Sequence, residues 1–67
     1  MHLILNGEKH TDLTEGLSVS GLLAHLGLVP KKIAVERNLE IVPKSRYDDV
    51  ILKDGDTLEI ITFIGGG

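Results

Sequence analysis

Short apolar runs alternate with polar turns along this chain, and the first run predicts a β-hairpin. Leu3–Leu5 is typical of a strand, and Asn6-Gly7 follows it directly. Asn-Gly is the residue pair that most readily takes the positive φ angles of a two-residue hairpin turn. We therefore expect the first strand to fold back on a second strand near residues 8–13, which Gly16 ends.

A helical pattern follows the hairpin. Apolar residues recur at i, i+3, i+4 and i+7, the spacing of one helix face. They are Val19, Leu22, Leu23 and Leu26. Ser18 precedes them as an N-cap whose hydroxyl can accept a hydrogen bond from the first turn, and Gly27 stands where a left-handed C-cap belongs. The pattern predicts one short amphipathic helix, which Pro30 keeps from continuing.

The second half of the chain predicts more strands. Ile33–Val35 indicates a third strand, and Glu40–Val42 a short fourth strand that ends at Pro43. Residues 44–56 form an irregular crossing with a turn at Asp54-Gly55.

The last strand, residues 57–64, carries apolar side chains on both of its faces. Leu58 and Ile60 alternate with Glu59, Ile61 and Phe63. Because two-sided apolar strands are typical of the centre of a sheet, we expect this strand to lie inside the sheet, beside the first strand.

These elements, in the order ββαββ, predict an α+β fold. We expect a mixed sheet of four to five strands with one helix across one face, formed by residues 1–64, and a flexible glycine tail at residues 65–67. The composition, 42% hydrophobic and 25% charged, is ordinary for a folded domain. A chain of 67 residues is too small for a deep enclosed active site.

Charge and cysteine content exclude several functions. Ten acidic residues against seven basic ones give a net charge of −3 with no basic stripe, so nucleic acid is not an expected partner. No apolar run approaches the length of a membrane span, and a cytoplasmic protein without a membrane partner is expected. The chain has no cysteine, which excludes disulfides and thiol nucleophiles.

Candidate side-chain sites are weak. His2, His10 and His25 have no metal-ligand spacing, and we interpret them as surface residues. Four aspartates lack the spacing of a calcium loop and indicate turns instead: Asp48, Asp49, Asp54 and Asp56. The basic residues of the middle are more typical of a solvated surface than of a partner site: Lys31, Lys32, Arg37, Lys44 and Arg46. No metal site is predicted.

The three glycines at residues 65–67 are the remaining signal. They follow a strong strand that also carries outward apolar side chains, which an isolated domain has no reason to expose. Glycine has no Cβ, so its backbone can pass through a slot that excludes other residues. We expect a partner to bind the outward apolar residues and to act on the tail. The expected partner-binding residues are Ile4, Ile61, Phe63 and Ile64.

Four segments resemble those of the ubiquitin-like β-grasp sulfur carriers, and among them the ThiS family of thiamin thiazole biosynthesis. They are LILNGE, SVSGLLAHLGL, IAVERNLEIVPKS and LKDGDTLEIITFIGGG. Their order and spacing run through the whole chain and end in the glycines. The resemblance implies a ubiquitin-like β-grasp fold and a carrier that is itself not an enzyme.

In that family an adenylating enzyme of the ThiF kind uses ATP and magnesium to activate a terminal glycine carboxylate. Sulfur from cysteine, delivered by a cysteine desulfurase or a similar enzyme, then makes a thiocarboxylate for thiazole synthase, ThiG. The resemblance assigns the reactive carboxylate to Gly67 and the flexible arm to Gly65 and Gly66. It implies that the chain itself binds no cofactor.

Three alternatives remain open at this point. The small subunit of molybdopterin synthase has the same fold and terminal chemistry, but its members are usually longer and often carry prolines before the glycine pair, which EIITFIGGG lacks. A ubiquitin-like modifier would become attached to lysines of target proteins. A plain binding module would tolerate loss of the glycines.

Overall fold

A computed structural model describes residues 1–63, which form five strands and one α-helix. The strands are β1 (Leu3–Leu5), β2 (Glu8–His10), β3 (Ile33–Arg37), β4 (Glu40–Val42) and β5 (Thr57–Thr62). The helix α1 spans Val19–Leu26, and single-turn 3-10 helices span Pro30–Lys32 and Lys44–Arg46. Ile64 and Gly65–Gly67 lie outside the described residues, and so does the predicted boundary between domain and tail.

The strands form one mixed sheet in the order β2-β1-β5-β3-β4. β1 and β5 are parallel, with Leu5 opposite Leu58, whereas β5 and β3 are antiparallel, with Val35 opposite Ile60. β5 therefore lies at the centre of the sheet beside the first strand, as its two-sided apolar pattern predicted. The predicted α+β class is confirmed.

The first hairpin forms at the predicted residues. Asn6 and Gly7 have φ angles of 48° and 82°, which is the geometry of a tight turn that matches the twist of the strands. β2 is shorter than predicted and ends at His10, because Asp12 adopts a left-handed φ of 62° and interrupts the regular pairing. Contact resumes one residue later, where Leu13 N–H donates to the Met1 carbonyl at 3.1 Å and the Met1 amino group donates to the Leu13 carbonyl at 2.8 Å. The prediction of a strand to residue 13 was wrong in its length.

Both ends of α1 are capped by the predicted residues. The Ser18 hydroxyl accepts a hydrogen bond of 3.0 Å from the Gly21 amide. Gly27 has a φ of 73°, and its N–H donates to the Ala24 carbonyl at 3.1 Å. These bonds satisfy backbone groups that have no partner within the helix. Residues within four positions of each other therefore determine where α1 begins and ends.

The hydrophobic core lies between α1 and one face of the sheet. The sheet and the helix contribute Leu3, Leu5, Ile33, Val35, Val42, Leu58, Val19, Leu22 and Leu23, all buried. The crossing before β5 adds Tyr47 and Leu52, which the hydrophobic pattern did not single out. The crossing is held to the first turn of the helix by the Ser20 N–H, which donates to the Tyr47 carbonyl at 2.9 Å. Within residues 1–63, no helix has both the length and the apolar character that crossing a membrane requires.

Candidate functional site at the end of the last strand

The end of β5 carries exposed apolar side chains on the sheet face that α1 does not cover. Ile61 is 50% exposed and Phe63 is 53% exposed. Half-buried Ala34 of β3 lies directly opposite Ile61. We call these three residues the exit patch, because they lie where β5 ends, at Thr62. Exposed apolar side chains grouped in this way are typical of a surface that binds a partner.

A lysine from another part of the chain borders the exit patch. Lys44 Nζ lies 5.7 Å from the centre of the Phe63 ring and donates a hydrogen bond of 3.0 Å to the Lys31 carbonyl. A cation over an aromatic ring is attracted by the electrons of the ring face. The backbone of Phe63 is also held, since its N–H donates to the Lys32 carbonyl at 2.8 Å. Lys44, one of the basic residues from the middle of the chain, therefore borders the exit patch.

Ile4, another of the predicted partner-binding residues, is not in this patch. Ile4 is half-buried on the same sheet face, but it lies opposite Thr57 at the start of β5. The four residues from there to Ile61 span roughly 13 Å along the strand. Glu59 lies between them on that face and pairs with Glu36 across β3. The structure thus brings Ile61 and Phe63 together and leaves Ile4 apart, while Ile64 and the glycines lie outside the described residues.

A buried carboxylate lies directly before the start of β5. Asp56 is 7% exposed and accepts hydrogen bonds from the Lys53 N–H at 2.9 Å, Arg37 Nε at 2.8 Å and Asn38 Nδ2 at 3.0 Å. Burial opposes ionisation, but these donors outweigh it and hold the pKa of the Asp56 carboxyl below its ordinary value. The sequence indicated only a turn here, because nothing in the DGD segment itself shows that Arg37 and Asn38 reach it.

The other side chains considered as metal ligands lie on separate elements or already bond another residue. Asp54 accepts from the His2 N–H at 2.7 Å and lies 3.0 Å from His2 Nδ1, and the backbone donor lowers the pKa of the Asp54 carboxyl. His10 lies on β2, and His25 lies exposed in the last turn of α1. In the part of the chain that the structure describes, no three metal-ligating side chains come together.

Asn6 has a second role that sequence reasoning missed. Its carboxamide oxygen accepts from the Ile60 N–H at 2.7 Å, and its Nδ2 donates to the Ile60 carbonyl at 3.1 Å. The Asn-Gly signal predicted the turn and contained no indication of this contact, since Ile60 is 54 positions away. Asn6 therefore ends the hairpin strand and also bonds the backbone of β5 near the exit patch.

A five-stranded mixed sheet with a central parallel β1–β5 pair and one helix across one face defines the ubiquitin-like β-grasp class. The sequence pattern described as the ThiS family matches residues 3–67. The chain is also similar to the crystal structure of a thiamine biosynthesis protein (ThiS) from Geobacter metallireducens. That likeness has a TM-score of 0.86 and 38% identity and covers all of both chains.

Relatives of two lengths match this chain. The sulfur carrier protein ThiS of Bacillus subtilis is 43% identical over 65 residues, 97% of this chain and 98% of that protein. Proteins named thiazole synthase from Paramagnetospirillum magneticum and Magnetococcus marinus are 54% and 45% identical over all 67 residues. The chain spans only 20% of the length of each thiazole synthase. The chain belongs to the ThiS family, and the resemblance found in its sequence is confirmed.

Proposed function

We propose that this chain is a sulfur carrier for thiamin biosynthesis, in which a carboxylate at Gly67 is converted to a thiocarboxylate. The observation that carries the proposal is the end of β5, where a strand anchored in the core presents exposed Ile61 and Phe63 just before the glycines. Family membership and the near-complete match to a relative named sulfur carrier protein support it.

The proposed chemistry acts on the main chain alone. A carboxylate is a poor electrophile, so an adenylating enzyme of the ThiF kind first joins it to AMP, using ATP and magnesium and releasing pyrophosphate. A sulfur nucleophile from a cysteine desulfurase or a similar donor then attacks the carbonyl carbon. The carbon–sulfur bond forms, the bond to AMP breaks and AMP leaves. Because the sulfur arrives as a persulfide, an external thiol then cleaves the sulfur–sulfur bond to the donor, which releases the thiocarboxylate and leaves a disulfide between that thiol and the donor. This chain supplies no catalytic side chain and no cofactor to these steps, and acts as a carrier.

The glycines suit delivery of a main-chain group into another protein's site. Each residue can extend a chain by about 3.3–3.6 Å, so a run of glycines can supply reach to a terminal carboxylate. Without Cβ atoms they pass where side chains would collide. Because ordering a residue costs roughly 1–2 kcal/mol, the binding energy has to come from contacts outside the tail. We assign these contacts to the exit patch.

Thiazole synthase is the proposed acceptor of the sulfur. Two relatives of that name contain a region similar to the whole of this chain, which supports a close working association between the two proteins. The family match also favours thiamin over the molybdenum cofactor as the product of the pathway. In the proposed order of reactions, the adenylating enzyme acts on the chain first and thiazole synthase acts second.

Deletion of Gly66 and Gly67 tests the carrier function. We expect the melting temperature to stay unchanged, because the core lies within residues 1–63, and sulfur transfer to be abolished. His25→Ala, exposed on the helix side of the sheet, is the matched control and should transfer sulfur normally. Transfer by the truncated protein at the normal rate would contradict the proposal.

Intact mass spectrometry of the protein from its own cells separates the alternatives. A sulfur-for-oxygen exchange in the last peptide supports a carrier. Adducts on lysines of other proteins instead indicate a modifier, and the absence of both together with tolerance of the deletion indicates a binding module.

A further inference from the structure

One edge of β5 is left without a neighbouring strand near its end. β1 pairs with β5 only as far as Leu5, which lies opposite Leu58, whereas β5 continues to Thr62. The Asn6 N–H still donates to the Leu58 carbonyl at 2.9 Å, and the hairpin then turns away. Beyond Leu58, the side of β5 that faces away from β3 has no strand beside it within residues 1–63.

The Asn6 carboxamide occupies the first position along that edge. Its oxygen and nitrogen bond both the N–H and the C=O of Ile60, as a residue in a neighbouring strand would do. A carboxamide has the same donor and acceptor groups as a peptide unit. The contact therefore shows that this edge of β5 can bond a donor and an acceptor from one amide group at the same residue.

The next position along the same edge is Thr62. Phe63 donates to the Lys32 carbonyl, so residues 61 and 63 direct their backbone groups towards β3. Backbone groups alternate in direction along a strand, and those of Thr62 therefore point to the same side as those of Ile60. No hydrogen bond within residues 1–63 reaches the Thr62 N–H or C=O from that side.

A groove runs along this edge. Its volume is about 370 Å³, and Thr62 and Asn6 form part of its wall. Apolar side chains from the strands and from the end of α1 form its floor: Leu5, Leu26, Leu28 and Ile60. Glu8 and His10 of β2 stand at its rim. The groove thus combines a backbone donor and acceptor with space for an apolar side chain and an acidic group beside it.

We propose that an extended segment of thiazole synthase binds in this groove by strand addition. The segment exchanges two backbone hydrogen bonds with Thr62, places one apolar side chain on the floor and presents a basic side chain to Glu8. Peptide backbone is the matching chemistry, because an extended residue presents one N–H and one C=O to the same side, which complement the C=O and N–H of Thr62.

Thiazole synthase is the occupant because of where the groove lies. Thr62 is five positions before Gly67, so an enzyme that takes sulfur from Gly67 must receive the chain that passes this groove. The two relatives named thiazole synthase contain a region similar to this whole chain, including the residues of the groove. The inference rests on the proposed function for the choice of partner and on the strand edge for the mode of binding.

Residue-resolved amide hydrogen exchange of the full ¹⁵N-labelled chain, alone and saturated with thiazole synthase, tests the inference. We expect the Thr62 amide to exchange on the order of 10-fold more slowly in the complex. The Ile61 and Phe63 amides, already bonded to β3, serve as internal references. A complex in which Thr62 exchanges as fast as in the isolated chain overturns the strand-addition proposal and leaves the carrier function standing.

Affinity measurements provide a second readout. Thr62→Pro removes the N–H that faces the groove and no bond of the sheet, and should weaken binding of thiazole synthase roughly 3- to 10-fold. His25→Ala, outside the groove, should bind with the affinity of the unaltered chain. Equal affinity of Thr62→Pro and the unaltered chain overturns the proposal.

The identity of the partner is tested separately. If the adenylating enzyme slows exchange of the Thr62 amide and thiazole synthase does not, the choice of thiazole synthase as the protein that binds the groove is wrong. Failure of thiazole synthase to bind the chain at all overturns this inference together with the proposed sulfur acceptor, whereas the glycine deletion tests the carrier function independently.

Discussion

The two ends of β5 are built in different ways. Its start lies between β1 and β3, and buried Asp56 beside it accepts hydrogen bonds from Arg37, Asn38 and the Lys53 N–H. Among residues 1–63 its end is paired with β3 alone, and Ile61 and Phe63 are exposed there. The comparison indicates that one end holds the fold together while the other keeps groups available for a partner.

An asparagine bonds β5 near each of its two ends. Asn38 and Asn6 both have left-handed φ angles, 50° and 48°, and both bond the backbone of β5 through their carboxamides. The Asn38 carboxamide accepts from the Thr57 N–H at 2.9 Å and also donates to Asp56, whereas the Asn6 carboxamide bonds only Ile60. The start of the strand is thus part of a connected polar cluster, whereas near its end one asparagine side chain bonds the edge that faces away from β3.

Removing the carboxylate at the start should have the largest effect on stability. Asp56→Ala leaves Arg37, Asn38 and the Lys53 N–H without their shared acceptor, and we expect a loss of about 2–4 kcal/mol in the free energy of unfolding. Urea denaturation measures it. Asp54→Ala, at an exposed carboxylate two residues away, is the control and should have a much smaller effect. Equal losses of unfolding free energy in the two variants would show that the buried position of Asp56 adds no stability beyond that of an exposed carboxylate.

The pH dependence of unfolding should identify the charged form of Asp56 as the stabilising one. Its folded pKa lies below the unfolded value of about 3.9, so its contribution is fully present above that pH and is lost as the pH falls through the folded pKa. The difference in unfolding free energy between the unaltered chain and Asp56→Asn should therefore shrink below about pH 4. A difference that is constant from pH 7 to pH 3 would contradict this origin.

A charge in the exit patch should affect binding and leave folding nearly unchanged. Phe63→Asp places a carboxylate in an apolar contact, and we expect the adenylating enzyme to bind about 1–3 kcal/mol more weakly. Isothermal titration calorimetry measures the dissociation constant. Ile41→Asp is the matched control, because Ile41 is 65% exposed on the same face but lies opposite Glu36, outside the exit patch. Equal weakening by both variants would argue against a localised site.

The two asparagines allow the ends of β5 to be compared directly. Glycine keeps the left-handed φ without strain, so Asn38→Gly and Asn6→Gly remove chiefly the carboxamide bonds. We expect a loss of about 2 kcal/mol for Asn38→Gly, which also deprives Asp56 of a donor, and about 1 kcal/mol for Asn6→Gly. Thermal denaturation of both variants provides the comparison, and the reverse order would contradict it.

The smallest expected effect is a gain in stability at the turn beside Asn38. Leu39 is 89% exposed and has a φ of 72°, a conformation that costs a side-chain-bearing residue roughly 1–2 kcal/mol. Leu39→Gly should recover about 0.5–1 kcal/mol after the greater chain entropy of glycine is counted. Leu39→Ala keeps the strain and should show no such gain, which distinguishes relief of the backbone from removal of an exposed side chain.

Much of the fold could be predicted from short-range patterns. The Asn6-Gly7 turn, the Ser18 and Gly27 caps and the alternation along β5 depend on neighbouring residues, and each prediction was confirmed. The second strand was predicted too long, because nothing in the local pattern shows that Asp12 adopts a left-handed conformation.

The candidate site was predictable only in part. The apolar pattern placed Ile61 and Phe63 on one face, and the glycines that follow them suggested a carrier, yet the grouping with Ile4 assumed one continuous surface. The register sets Ile4 beside Thr57 and places Glu59 between it and Ile61. Register between distant strands cannot be obtained from the spacing within either one.

The sequence by itself determined the elements, the face of each strand and the position of the glycines after β5, because helix caps, turns and side-chain alternation act over a few residues. Only the tertiary structure decided that Asp56 is buried, that Asn6 bonds Ile60 and that no strand of the described residues 1–63 lies along the edge of β5 at Thr62. These features join segments up to 54 positions apart, and their geometry follows from how the strands pack and pair.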